Sequence, residues 1–188
     1  IGRRQRQMCI RYRITGIGFA KLNHQVSIVD LNDDLIKNLN ENRPPFYEPE
    51  LVDYLNDSNI RNNLFFSTSY QKSINENTDI VFVCVQTPTD PDTGKTKTDY
   101  ISSVLTELKK IEKFNFIVCI KSTIKATLVE KISNEIDLDY KKIIFNPEFL
   151  REGSAFYDFF NPDRIVIGGS DQKGLNLCTE LYESFDCE

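Results

Sequence analysis

The chain has 188 residues, 40% of them hydrophobic and 27% charged, with a formal net charge of −5. That is enough for one ordinary domain with its own core, and it leaves no surplus of positive charge for nucleic acid. No apolar run nears the roughly 20 residues that a bilayer span needs, and the start lacks the apolar stretch and cleavage site of a secretory leader.

The first thirteen residues, IGRRQRQMCIRYR, hold five arginines and do not match the Asn-, Asp-, Lys- and Ile-rich remainder. They could be a basic arm for an acidic partner. Residues 1–12 are read here as a non-native extension, and residues 13–188 as the folded domain. The five cysteines, Cys9, Cys84, Cys119, Cys178 and Cys187, show no metal-ligand spacing. Cys84 and Cys119 lie inside apolar runs, where a thiol acts as a small core residue. A reducing, cytoplasmic setting and no bound metal are the expectations.

Strand candidates follow in order at Arg11–Thr15, Gln25–Val29, Leu64–Ser67, Asp79–Val85, Phe116–Lys121, Ile143–Asn146 and Arg164–Gly168. The runs Ile80–Val85 and Phe116–Ile120 are continuously apolar, as parallel strands buried on both faces require. Helical spacing covers Asp33–Asn42, Ile101–Lys113, Thr127–Ile136 and Leu175–Phe185. The alternation predicts an α/β fold with a doubly wound, mainly parallel, Rossmann-like sheet.

The first strand candidate ends in Gly16-Ile17-Gly18. Such glycines let a chain turn tightly and bring backbone amides to a pyrophosphate, although a plain turn uses them equally. The second ends in Asp30, which can accept hydrogen bonds from ribose hydroxyls and so favours NAD over NADP. The spacing is short. Six residues separate Gly18 from Gln25, whereas a parallel crossover takes about a dozen. The expectation is therefore a break after Gly18, where about nine residues of a normal unit are missing.

Further along, Pro45-Phe46-Tyr47-Glu48-Pro49-Glu50-Leu51, Val85-Gln86-Thr87-Pro88-Thr89, Lys121-Ser122-Thr123 and Asn146-Pro147-Glu148-Phe149-Leu150-Arg151-Glu152-Gly153 stand out, followed by Asn161-Pro162-Asp163-Arg164-Ile165-Val166-Ile167-Gly168. A Thr-Pro-Thr turn at a strand end places hydroxyls in the crevice where such sheets bind ligands. Glu148 and Glu152 flank an apolar stretch just past another strand end, where a carboxylate can act as a base. Together these segments resemble the N-terminal domain of the UDP-glucose/GDP-mannose dehydrogenase family. Two departures are visible: Glu50 stands where the family has glycine, and Ala126 replaces another glycine after Lys121-Ser122-Thr123.

The resemblance implies an oxidoreductase that converts the C6 alcohol of a nucleotide-linked hexose to a carboxylate with two NAD in succession. A cysteine traps the aldehyde, and the resulting thioester is hydrolysed. It implies Glu148 as general base and Thr123 as the residue placing water. Gly16, Ile17, Gly18, Asp30, Val85, Gln86, Thr87, Pro88, Thr89, Ser122, Thr123, Ile124 and Glu152 would surround NAD. Glu148, Phe149, Leu150, Arg151 and Glu152 would line the sugar-nucleotide site. The family's cysteine segment and essential lysine lie in a later domain, and none of the five cysteines here has that context. The expected chain is thus the cofactor-binding part of a longer enzyme, itself a homo-oligomer, with no nucleic-acid or membrane partner. UDP-glucose is the favoured substrate. GDP-mannose or a UDP-N-acetylhexosamine is the alternative, and a non-catalytic nucleotide-binding fragment is an alternative of another class.

Overall fold

The computed structural model describes residues 13–45, 47–111, 115–151 and 153–187. In chain order the elements are helix α1 (13–21), β1 (Val26–Val29), α2 (Asp33–Asn40), α3 (Leu51–Asn56), α4 (Ser58–Arg61), β2 (Leu64–Ser67), α5 (Tyr70–Ser73), β3 (Ile80–Val83), α6 (Asp99–Lys110), β4 (Ile117–Ile120), α7 (Ala126–Glu135), β5 (Ile143–Phe145), α8 (Ala155–Phe160), β6 (Gly168–Gly169) and α9 (Gln172–Leu181). The chain divides into two compact units, residues 1–75 with 149–163, and 76–148 with 164–188.

In the first unit β1 and β2 pair in parallel, Val26 opposite Leu64 and Val29 opposite Ser67. In the second, β3, β4 and β5 form a parallel set, and β6 joins β5 antiparallel. The mainly parallel α/β fold read from the sequence is the fold observed. The apolar runs explain it: all four residues of β4 are buried, with Ile117 and Cys119 in one cluster with Ile144 of β5 and Cys178 of α9.

One expectation fails at the start. Residues 13–21 are helix, not the strand and glycine turn read at Arg11–Thr15 and Gly16–Gly18. Residues 1–12, and with them the reading as an extension and the first part of that strand, lie outside the described residues. The helix runs straight through the expected break, with the Leu22 amide donating to the Gly18 carbonyl at 3.1 Å. It ends at Asn23, in the left-handed region at φ 67°, where the His24 amide reaches back to the Phe19 carbonyl at 3.1 Å. Asparagine tolerates that conformation at a helix end. Among the described residues, α1 is the helix that leads into β1.

The glycines are there for packing. A Cβ on Gly16 would stand 2.8 Å from the Ile28 side chain, and one on Gly18 would stand 2.3 Å from the Phe159 ring. Ile14 and Ile17 are fully buried beside them. In an exposed helix interior, glycine to alanine gains about 1 kcal/mol. Here Gly18→Ala must displace a buried ring, and overpacking costs about 1–3 kcal/mol. The expected result is a lower denaturation midpoint for Gly18→Ala. A midpoint equal to or above that of the unaltered chain would contradict the close packing.

Other boundaries moved less. The strand read at Arg164–Gly168 is reduced to Gly168–Gly169. The Val166 carbonyl accepts the Asn146 side-chain amide at 2.9 Å, which replaces a strand partner with a side chain. Glu50 sits at φ 67° just before α3, so the glycine it replaces was suited to a left-handed turn. Its carboxylate accepts the Tyr54 hydroxyl at 2.8 Å. Ala126 opens α7 in helical conformation, where alanine is favourable.

Candidate functional site

In the second unit the candidate residues converge at the carboxyl ends of the parallel strands. Val85–Thr89 leave β3, Ser122–Ile124 leave β4, and Glu148 follows β5. The turns after β3 and β4 are bonded to one another. The Ser122 hydroxyl donates to the Val85 carbonyl at 2.7 Å, and the Thr87 hydroxyl donates to the Thr123 carbonyl at 2.8 Å. The Lys121 and Ser122 amides both donate to the Val83 carbonyl, at 2.9 and 3.1 Å. Thr89 bridges back to Thr96, closing a hairpin in which Asp90 accepts from the Thr93 amide and hydroxyl. Those bonds from Thr93, with Lys97 nearby, lower the Asp90 carboxyl to about 2. Thr123 is exposed, while Gln86, Thr87, Pro88, Ser122, Ile124 and Glu148 are partly buried. An open hydroxyl on one turn and a half-buried carboxylate on the next can orient and deprotonate a water.

Beneath this edge lies Cys84. Burial, and then the Glu148 carboxylate, push its thiol up to about 12. A thiol so held is protonated near neutral pH and is no nucleophile. Cys119 and Cys178 are fully buried.

In the first unit Asp30 follows β1 beside the end of β2, its amide donating to the Ser67 carbonyl at 3.2 Å. One carboxylate oxygen accepts the Asn32 amide at 2.9 Å, and the other faces the Arg13 guanidinium at 3.8 Å. A carboxylate is an acceptor-only group. Gly16, Ile17 and Gly18 do not suit the pyrophosphate role: their amides belong to a helix body and their surfaces are covered, so the cofactor reading of these three is not retained. No other pyrophosphate cradle is recognised among the described residues.

Phe149–Arg151 lead into α8. Phe149 is exposed and Leu150 partly buried. The Arg151 guanidinium is tied to Asp158 at 2.7 and 3.0 Å, which holds the Asp158 carboxyl below the usual range. Glu152 lies outside the described residues. His24, just past the end of α1, packs edge-on against Phe19 at 5.8 Å.

The sequence reading missed Glu48. It is 3% exposed, and its two oxygens accept the amides of Ala155 at 2.7 Å and Gly153 at 3.0 Å. This carboxylate caps α8 from more than a hundred residues away, because Ser154 makes no cap bond of its own. The Tyr47-Glu48-Pro49 wording was visible, but its partner was not.

The comparisons with known proteins agree with this architecture. Residues 13–186 match the model of the UDP-glucose/GDP-mannose dehydrogenase family, NAD binding domain. The UDP-glucose 6-dehydrogenase of Bacillus subtilis is 32% identical over 180 residues, covering 92% of this chain and 40% of that protein. UDP-glucose 6-dehydrogenase 1 of Arabidopsis thaliana is 38% identical over 170 residues, covering 84% of this chain and 35% of the relative. Among solved structures, a GDP-mannose dehydrogenase from Pseudomonas aeruginosa superposes with a TM-score of 0.83 at 26% identity, over 93% of this chain and 42% of the other. A UDP-glucose dehydrogenase from Pyrobaculum islandicum gives 0.81 at 33% identity, over 93% and 42%. The chain thus spans about 40% of the length of these proteins. No described helix is long and apolar enough to cross a membrane. The cofactor is that of the matched domain, NAD, and the chain belongs to the UDP-glucose/GDP-mannose dehydrogenase family as its NAD-binding domain.

Proposed function

We propose that the NAD contacts of this chain are Asp30, after β1, and Val85, Gln86, Thr87, Pro88, Thr89, Ser122, Thr123 and Ile124, in the turns after β3 and β4. In the longer enzyme it serves oxidation of the C6 alcohol of UDP-glucose to the carboxylate. The bond between the Thr87 hydroxyl and the Thr123 carbonyl carries this reading. It fastens together two turns at the carboxyl edge of a parallel sheet, where open α/β folds bind ligands. NAD, when bound, supplies the hydride acceptor. The chain's own part is to orient it, with Glu148 accepting a proton from water and Thr123 positioning that water. Phe149, Leu150 and Arg151 contribute to the sugar-nucleotide site. UDP-glucose is favoured over GDP-mannose because relatives acting by name on UDP-glucose reach 38% identity, against 26% for the GDP-mannose enzyme. The longer protein is a cytoplasmic homo-oligomer, a setting that suits its unpaired thiols.

Calorimetric titration with NAD and NADP, on the unaltered chain and on Asp30→Ala, tests the cofactor contact. A charge-assisted bond to a ribose hydroxyl contributes about 1.5–3 kcal/mol, so Asp30→Ala should bind NAD about tenfold or more weakly. The unaltered chain should prefer NAD over NADP, because a 2′-phosphate meets the carboxylate. Equal affinity for both, unchanged by Asp30→Ala, would remove Asp30 from the site.

A further inference from the structure

Beside Asp30 stands a covered cation that the roles above do not use. Arg13, the first described residue of α1, is 1% exposed, and its Nη2 lies 3.8 Å from Asp30 Oδ2. That separation is longer than a hydrogen bond, so at these two atoms the groups meet as charges. The other Asp30 oxygen, Oδ1, accepts the Asn32 amide at 2.9 Å. Burial of the pair is unequal: the Asp30 side chain is 25% exposed and the Arg13 side chain 2%. The carboxylate meets solvent, and the guanidinium does not.

NAD and NADP differ by one phosphate on the 2′ oxygen of the adenosine ribose. Dinucleotide-binding folds accept the free hydroxyl with an acid after the second strand, and accept the 2′-phosphate with an arginine nearby. Here both residue types stand in one ion pair. A guanidinium is a permanent cation whose planar donors match phosphate. The carboxylate repels a 2′-phosphate, and the guanidinium attracts it. Coulomb energy falls with distance, so while the carboxylate is present its sign prevails at the solvent side. Without it the sign reverses. A buried cation that loses a neighbouring anion is destabilised, and a phosphate reaching it restores a negative charge.

We propose that Arg13 is a specificity-determining residue for the cofactor: with Asp30 present it narrows the margin by which NADP is rejected, and without Asp30 it binds the 2′-phosphate. The proposal rests on the reading of Asp30 as the ribose contact.

The test is a calorimetric titration of NAD and NADP into the unaltered chain, D30A, R13M and the double variant R13M/D30A. D30A should reverse the preference and bind NADP about tenfold or more tightly than NAD, as a charge-assisted contact to phosphate allows. R13M/D30A should lose that advantage and bind the two about equally. A D30A chain that binds NAD more weakly yet gains nothing toward NADP overturns the role of Arg13, and so does an NADP advantage that survives in R13M/D30A. Affinities for both cofactors unmoved by D30A overturn the reading of Asp30 itself, so the two failures are told apart. If D30A does not fold, R13M decides beside the unaltered chain, with NADP measured by its displacement of NAD. Loss of the attracting charge should widen the margin of NAD over NADP about tenfold, and R13K should keep the narrower margin. A margin unmoved in R13M overturns the proposal.

Discussion

Glu48→Ala should unfold the first unit far more readily than any surface substitution. The native carboxylate is buried and accepts two amides at the start of α8. Bonds to a charged acceptor contribute about 1.5–3 kcal/mol each, and leaving the buried Ala155 amide without a partner adds the cost of its lost hydration. A loss of about 3–5 kcal/mol is expected, which for a chain of this size lowers the thermal midpoint by about 10 °C or more. Glu48→Gln keeps one acceptor and turns an amide donor toward the other N–H, so it should recover less than half of the loss. Denaturant unfolding measures both. An Ala variant within about 0.5 kcal/mol of the unaltered chain would mean that the cap is immaterial.

The 188-residue polypeptide alone should not oxidise UDP-glucose. The chemistry implied by the family needs a thiolate to hold the aldehyde between the two hydride transfers. Among the described residues, Cys119 and Cys178 are fully buried and the Cys84 thiol is raised to about 12. Cys187, partly exposed, lies beyond α9 with no described base or cation assigned to activate it. Without covalent capture the second oxidation proceeds on a dissociating aldehyde and forfeits a proximity advantage worth about 7–11 kcal/mol. NADH production at 340 nm, measured beside the full-length Bacillus subtilis enzyme, should be undetectable. A rate within about tenfold of that enzyme, a barrier difference of only about 1.4 kcal/mol, would show that a nucleophile has been overlooked.

How much of this was legible in the sequence differs from element to element. The buried strands β3 and β4 announced themselves as continuous apolar runs, and β2 matched its expected ends, because both faces of such strands must be covered. The turns after β3, β4 and β5 were legible for the same reason: polar residues begin where the apolar runs stop. The failure at α1 has a definite cause. Arg-Ile-Thr-Gly-Ile-Gly fits the end of a strand with a glycine turn, and it equally fits a helix whose glycines admit Ile28 and Phe159. Periodicity over so few residues cannot separate the two, and the deciding contacts come from β1 and α8. Long-range polar partners were not legible at all. Glu48 meets α8, and Tyr182 meets Lys121, across separations on which local sequence is silent.

The most direct test of the proposed cofactor site is an amide chemical-shift map of the chain as NAD is added. The largest changes should fall at 30–32, 85–89 and 122–124, with Glu148 affected and the body of α1 at Gly16–Gly18 changed little. Shifts centred on Gly16–Gly18 that leave Thr87 and Thr123 untouched, or no response at millimolar NAD, would contradict the site described for this domain.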